Sequence, residues 1–576
     1  MKNLESFIYA ILDSKFKKRL VIVLTAVAFF LSLMMFPTKL VLAKMLPGKS
    51  ANTFSIYIDT PAGSGIEQTK KVSECVINYL QKEPEIMNLE LFLGQGIPLD
   101  YAGLVKGASM KRTENVSEIA VNLTDKHHRD EPSYLMVQRL RPIIQKACGP
   151  LIRGTNIKFI EQPSGPPTLA SIVVEVHGED LSQIRSLAVD VANALSNTEG
   201  LVDIDIMADE NFAKYELIPD KEKIARSGLS VKQVNNILYL AFEGMVIAHK
   251  NSKNEPDQIN MFLVLDKESK KLPESNVDAL QSKLSSLNLM NMRGMMVPLS
   301  EVVHIQRARS NYMIMHKDLS RMTNVIAETD MVSQVYPLLE ARDKMLKHFE
   351  KDYIITKAGF STYMFDFTLE DKKTHEKFLI RWDGEMKVTL DTFRDLGAAF
   401  ISALILIFLL LVIYYKSFAI SGIVLLGSFL SLIGVIVGHW VANWFTTDTF
   451  FLTATSLIGF IALIGISSRN SLLLIDFAKS LMICEGMPKR KAVAVAAATR
   501  AKPIMLTAVA IILGSALLAS DPVFGGLGVA LISGTVAAVF VSLLFVPVLM
   551  DNAKAMDFDK DAQCAIDHKE NISITK

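Results

Sequence analysis

Charge of one sign is scarce. The chain carries 61 Lys and Arg against 60 Asp and Glu, a formal net charge of +1 over 576 residues. No basic excess recommends a nucleic acid as partner. Cysteine is scarce too: Cys75, Cys148, Cys484 and Cys564 are the only four, too few for a disulfide scaffold, and pairing of Cys75 with Cys148 is left open. The Gly-rich stretch "LGQGIPLDYAGLVKGASM" (93–110) has no GK[ST] signature, which excludes a phosphate-binding loop there. Acids are nearly missing from the long apolar runs, where Asp476 stands alone.

What is abundant is apolar sequence, 50% of the chain. It is concentrated in six runs: Leu20–Phe36, Leu396–Tyr415, Ala419–Trp440, Phe451–Phe477, Ile504–Ala519 and Leu527–Met550. This is the pattern of a membrane protein with a large polar insert. The first run is too long for a signal-peptide core and "PTKLVLAKMLPG" offers no small-residue cleavage site, so it reads as a retained anchor. Lys2, Lys15, Lys17, Lys18 and Arg19 precede it; Lys416 sits between the second and third runs; Lys479, Lys489, Arg490, Lys491, Arg500 and Lys502 follow the fourth. The loops "FTTDT" and "SDPVF" have no Lys or Arg. The positive-inside rule then predicts both termini in the cytoplasm and the long segment between the first two runs outside.

That outer segment reads as α+β repeats. "TFSIYIDT", "IMNLELFLG", "SEIAVNLT" and "NIKFIEQ" alternate like strands, while "GIEQTKKVSECVINYLQKEP" and "PSYLMVQRLRPIIQKAC" have helical periodicity. A second set begins with "ASIVVEVHG", "LSQIRSLAVDVANALSN" and "LVDIDIM". It resumes far along the chain with "MTNVIAETD", "VYPLLEARDKMLKHFEK" and "YIITKAG". The order predicts two ferredoxin-like split βαβ subdomains, the second interrupted by an insertion. Residues 366–395 read as an amphipathic segment near the membrane surface.

"GISSRNSLLLIDF" (465–477) carries Arg469 and Asn470 within the fourth run. A guanidinium at membrane depth costs several kcal/mol and needs a polar partner. Two readings come from the residues themselves: snorkelling to the inner interface, or pairing with Asp476 two turns along. Asn470 is suited to hydrogen bonding across a helix bundle. Thr507 is suited to a bond back to its own helix. His439, near the outer end of the third run, reads as interfacial. "LMNMRGMMVPL" holds Met290, Met292, Met295 and Met296, thioethers that suit Cu(I).

The layout resembles one half of a resistance-nodulation-division exporter, the proton-driven multidrug efflux family. The likeness rests on "MLPGKSANTFSIYIDTPAGSGIEQTKKV", "GLVDIDI…YELIPDKEKIARSGLSVKQVNNIL", "VPLSEVVHI" and "GISSRNSLLLIDFAKSLMICEGMPKRKAV…RAKPIMLT". These are similar to the family's second half. The resemblance implies a bundle of six transmembrane helices below an extracytoplasmic region of two porter subdomains and a docking insertion. Its boundaries would be a cytoplasmic N-terminus (1–19), a first span (20–43), porter subdomain 1 (44–165) and porter subdomain 2 (166–212 and 318–365). The docking-type insertion would take 213–317, the membrane-proximal segment 366–395, a five-helix bundle 396–550 and a cytoplasmic tail 551–576.

By position, Arg469 takes the site of the family's relay lysine, Thr507 that of its threonine and Arg500 that of its arginine. The family's adjacent aspartates have no counterpart in the six runs, so the resemblance implies a separately encoded first-half subunit that supplies them. Asn470 and Asp476 complete the candidate relay. Gly94, Gly96, Ile97, Leu99, Tyr101 and Gly103 fall on the loop that gates the substrate path. The resemblance also implies trimeric assembly in lipid, a periplasmic adaptor and an outer-membrane channel, in a bacterial inner membrane. No enzyme activity, cofactor or resident metal is implied, only the proton motive force. Two alternatives stay open: a homo-oligomeric half-transporter using Asp476, and a copper or silver exporter or non-transporting pump-associated subunit. The methionine segment matches the docking hairpin, away from the substrate path.

Overall fold

The computed structural model describes the chain except residues 1, 49, 99–100, 109–110, 163–164, 209–210, 267–276, 312, 331–332, 360–363, 447–449 and 557–576. It divides into two compact units. One comprises Met1–Thr60, Ser64–Ala208 and Ile314–Lys576; the other comprises Pro61–Gly63 and Asp209–Met313.

In the larger unit, strands β1 (Thr53–Asp59), β2 (Ile86–Leu93), β3 (Val116–Leu123) and β4 (Asn156–Glu161) form an antiparallel sheet in the order β2-β3-β1-β4. This is the split βαβ order that the alternation predicts. The central strand β1 buries Phe54, Ile56 and Ile58. Helix Ile66–Leu80 lays Val72, Val76 and Leu80 against the sheet, and helix Ser133–Cys148 adds Met136, Leu140 and Ile144. Repeats of three and four residues put these side chains on one face of each helix. A disulfide joins the two helices, Cys75 to Cys148, with Cα atoms 5.8 Å apart. The sequence had left that pairing undecided.

The second sheet starts with β5 (Ile172–Gly178) and β6 (Leu201–Met207). The chain then enters the smaller unit: β7 (Ala213–Pro219), β8 (Met245–Lys250), β9 (Ile259–Leu263), β10 (Asn288–Met290), β11 (Met296–Pro298) and β12 (Val303–Arg309). There β7 pairs with β12, β8 with β9 and β10 with β11, around a core that includes Ile224, Val234, Leu284 and Leu299. On return come β13 (Met315–Lys317), β14 (Ser320–Thr329), β15 (Tyr353–Lys357), β16 (Phe367–Asp371) and β17 (Lys377–Asp383). β13 pairs with β14 from Met315↔Met322, so Ile314–Lys317 belongs to the porter sheet and not to the insertion expected at 213–317.

A larger correction concerns 366–395. It is not an amphipathic surface segment. β16 and β17 form a hairpin inserted into the seven-stranded sheet, whose order is β13-β14-β5-β17-β16-β15 with β6 also on β14. Phe367, Leu369, Phe378, Ile380 and Trp382 are buried, with a period of two. The charged residues between them drew attention away from that period. Gly384 then turns the chain into the next helix at φ +84°, where a Cβ would stand 2.6 Å from the carbonyl oxygen of Ala170. Only glycine fits both demands.

Among the described residues, five helices are long and apolar enough to cross a membrane: Glu385–Tyr415, Phe418–Ala442, Ala454–Ile483, Lys489–Ala519 and Gly525–Asn552. The second is interrupted between Phe418–Phe429 and Leu432–Ala442, and the fifth contains a π-turn at Val541–Phe545. The first apolar run lies on helix Lys15–Met34, shorter than the span expected at 20–43. Its Lys18 is paired with Asp551 at 2.7 Å, tying the chain's two ends together.

The Cys75–Cys148 bond closes a separation of 73 residues, worth about 4 kcal/mol in the chain-entropy account. Replacing both cysteines with serine is expected to destabilise the first sheet domain by about 2–5 kcal/mol. Thermal unfolding of the oxidised protein and the double variant checks this; equal midpoints would contradict it.

Candidate functional site

Helix Ala454–Ile483 starts at a Thr453 cap whose hydroxyl accepts from the Ser456 amide. Its inner face is Phe460, Leu463, Ser467, Ser471, Leu474 and Ala478, all buried. Arg469 lies on the opposite, exposed face, in line with Ile458, Gly465 and Leu473 at helical spacing. Among the described residues it makes no hydrogen bond and no ion pair. The next residue, Asn470, is buried.

Asp476 does not pair with Arg469. Its carboxylate accepts from the Tyr415 hydroxyl at 2.8 Å and lies 3.5 Å from that of Tyr414. The intrachain pairing that the sequence allowed is therefore absent. Arg500, on helix Lys489–Ala519, lies 4.9 Å over the Phe477 ring, and its Nε is buried without a hydrogen-bond partner. Thr507 donates to carbonyls of its own helix, Ile504 at 2.9 Å and Pro503 at 3.2 Å. Back-bonding of this kind satisfies a hydroxyl without a partner helix.

His439 lies in the last turn of helix Leu432–Ala442. It is fully buried, its Nδ1 donating to the Val435 carbonyl at 2.7 Å and its Nε2 bonded to Ser456 Oγ at 2.8 Å. The carbonyl can only accept, so Nδ1 carries a proton. The sequence does not single out Ser467, Ser471, Thr535 and Ser542, whose buried hydroxyls have no hydrogen-bond partner among the described residues. Serine and threonine in apolar runs gave no signal of this, because most such hydroxyls bond back to their helix.

In the outer part, the candidate gating loop is anchored at its base. Gly96 passes so close to the chain that a Cβ would be 2.1 Å from the Ala108 carbonyl oxygen. Ile97 is buried, and its amide donates to Glu118 at 2.8 Å. Gly94 takes φ +69°. Gly103 is buried in the short helix Tyr101–Lys106, while Leu104 and Val105 are exposed. Leu99 and the Tyr101 side chain lie outside the described residues. Leu104 and Val105 are apolar surfaces that the sequence reading did not single out.

Buried ion pairs join the two porter subdomains beside this loop. Arg141 contacts Asp203 at 3.2 Å and Asp330 at 2.9 Å; Lys158 contacts Asp59 at 2.6 Å and Asp205 at 2.5 Å; Lys106 contacts Glu328 at 2.7 Å. Burial pushes the Asp203 carboxyl up despite Arg141. Burial would raise Glu328 as well, but Lys106 and Ser171 overcome it and hold that carboxyl low. The pairs border a cavity of about 140 Å³ lined by Lys44, Lys106, Arg141, Glu161, Glu328 and Glu385 among others. Loss of hydration pushes Glu161 up to about 7, helped by Glu328 and Asp330 and opposed by Arg141 and Lys44.

A carboxyl raised from about 4.5 to about 7 favours the folded seam only while protonated. Stability should fall between those pH values and level off above. Glu161→Gln should remove that loss, raising stability by ~1–3 kcal/mol at pH 8 and leaving it unchanged at pH 4.5. Thermal midpoints of both proteins across this range check it. A pH-independent difference would contradict the assignment.

The comparisons with known proteins bear on the family and the fold. The model of the AcrB/AcrD/AcrF family matches residues 3–364 and 365–551. The multidrug export protein AcrF of Escherichia coli (strain K12) is 22% identical over 516 residues, covering 88% of this chain and 45% of that protein. The swarming motility protein SwrC of Bacillus subtilis (strain 168) is 24% identical over 386 residues, 65% of this chain and 32% of that one. A crystal structure of a heavy metal efflux pump superposes with a TM-score of 0.70 and 18% identity, over 95% of this chain and 51% of that one. The chain thus spans about half the length, or less, of these relatives. By its family match and its fold, the chain belongs to the AcrB/AcrD/AcrF family of resistance-nodulation-division permeases.

Proposed function

We propose that this chain forms the second-half component of a proton-driven efflux transporter that moves amphipathic small molecules outward from the inner membrane and periplasm. The carrying observation is Arg469, a charge without a partner among the described residues, on an exposed helix face. A permanent guanidinium in hydrocarbon is costly, and a facing carboxylate pair on a first-half partner removes that cost. When those carboxylates lose their protons, Arg469 stabilises the anions and lowers their pKa; protonation releases it. Arg500 and Thr507 lie on the adjoining helix, and a shift of Thr507 from its own backbone toward the partner would complete the relay. The exposed Leu104 and Val105 beside the porter seam suit apolar cargo.

In this reading helix Lys15–Met34 is the sixth span, both termini are cytoplasmic and the α+β domains are periplasmic. The charge asymmetry of the loops supports that orientation. Trimeric assembly with an adaptor and an outer-membrane channel follows the family plan. The AcrF and heavy-metal-pump relatives support efflux as the activity, with drugs or metals as cargo in those proteins.

The test is transport in proteoliposomes that contain the complete assembly. Arg469→Ala should lower proton-coupled efflux at least tenfold. Arg469→Lys should retain part of it, since the charge remains but the bidentate fork is lost. Asp476→Asn should leave most of it, because Tyr415 and not Arg469 engages that carboxylate. Loss of transport in the Asp476 variant with an active Arg469→Ala protein would overturn the proposal in favour of a self-sufficient half-transporter.

A further inference from the structure

The two ends of the chain meet in a knot of charges. Lys18, just ahead of the apolar run that begins at Leu20, pairs with Asp551, which directly follows the run that ends at Met550. Arg490, at the start of helix Lys489–Ala519, reaches the same carboxylate at 3.5 Å and Asp13 at 3.2 Å. A pair formed where one apolar run begins and another ends marks the depth at which both helices leave hydrocarbon. That depth is the headgroup layer of a bilayer.

At the same level lies a cleft of about 450 Å³, lined by Tyr9, Lys489, Arg490, Lys491, Asp551 and Lys554 among others. Its charge is unbalanced. Asp551, whose side chain is 5% exposed, is shared between Lys18 and Arg490. Lys489 donates to the Ala553 carbonyl at 2.6 Å. Lys491 and Lys554 are exposed and make no ion pair among the described residues. The first turn of helix Lys489–Ala519 holds three consecutive cations and no acid. Those charges repel one another and oppose the helix dipole, so the arrangement favours an added anion. The surround is apolar. Helix Lys2–Asp13 buries Ile8 and Leu12 against the bundle and leaves Phe7 and Tyr9 exposed, and Phe16 follows exposed on helix Lys15–Met34. Exposed aromatic rings at this depth belong in a membrane interface.

We propose that this cleft binds the phosphate headgroup of an anionic phospholipid, in the leaflet on the side of both chain ends. Lys491 and Lys554 meet the phosphate oxygens as point charges, and Arg490, held in place by Asp13 and Asp551, presents its guanidinium beside them. A zwitterionic headgroup carries its own cation into a cleft already rich in cations, so the site selects against it. Basic clusters next to a span attract anionic lipid by the same electrostatics. A soluble phosphate would need the cations alone; the exposed Phe7, Tyr9 and Phe16 add a surface that only a lipid with acyl chains uses. The inference rests on the membrane reading of these helices and is independent of the transport reading and of Arg469.

The test uses the full chain in mild detergent, titrated with phosphatidylglycerol or phosphatidylcholine and followed by native mass spectrometry. The native chain should bind a single phosphatidylglycerol about tenfold more tightly than phosphatidylcholine. A variant carrying Lys491→Gln and Lys554→Gln should lose that preference. A control carrying Lys15→Gln and Lys17→Gln removes the same charge outside the cleft lining and should keep it. Equal thermal midpoints in phosphatidylcholine establish that all three proteins are folded. An undiminished preference in the cleft variant would overturn the proposal. So would its loss in both variants, which would reveal only diffuse surface charge. Displacement of the lipid by inorganic phosphate at comparable concentration would overturn it as well, because the site would then be one for a soluble anion. None of these readouts depends on efflux or on a partner subunit, so failure here leaves the transport reading untouched.

Discussion

The constraint on which the membrane part depends is the position of one guanidinium. Arg469 sits on the outward face of a helix whose other face is packed with Phe460, Leu463 and Leu474. The chain supplies many hydroxyls to its own bundle, yet among the described residues none of them, and no carboxylate, bonds to Arg469. A charge with that exposure cannot be at equilibrium with hydrocarbon alone. In the proposed reading, the stripe formed by Ile458, Gly465, Arg469 and Leu473 is a surface covered by another helix bundle carrying the opposite charge.

The outer part obeys a different rule. There several charges are paired across the boundary between subdomains. Arg141, Lys158 and Lys106 hold β6 and the end of β14 against the first sheet domain through Asp203, Asp205, Asp330 and Glu328. Buried ion pairs contribute little net stability but fix geometry sharply, because breaking one leaves a charge without a partner. A seam held this way has discrete arrangements, which is what coupling between a membrane relay and an outer pocket requires. The Glu161 cavity adds a proton-sensitive element at the same seam.

Much of this was legible in the sequence. The split βαβ order, the interruption of the second subdomain and the apolar runs all follow from periodicity, because each period reports one buried face. The misses share a cause: they depend on what lies opposite in space. The β16–β17 hairpin was hidden by "EDKKTHEK", whose charges belong to an exposed turn between two buried strands. The burial of His439 is invisible in the sequence because its partner, Ser456, stands on another helix. The Cys75–Cys148 bond needs the crossing of two helices, which no single-segment pattern encodes. The membrane candidates Arg469, Arg500 and Thr507 were found as chemical types, but only the structure separates Asp476 from Arg469 and gives it to Tyr415.

The most direct test is to find what covers Arg469. A photo-crosslinking amino acid placed at Gly465 or Leu473, which share its exposed face, would be activated in native membranes and the product identified by mass spectrometry. The account predicts capture of a transmembrane segment bearing two acidic residues. Capture only of lipid, or of this chain's own Asp476-bearing helix from another copy, would contradict it.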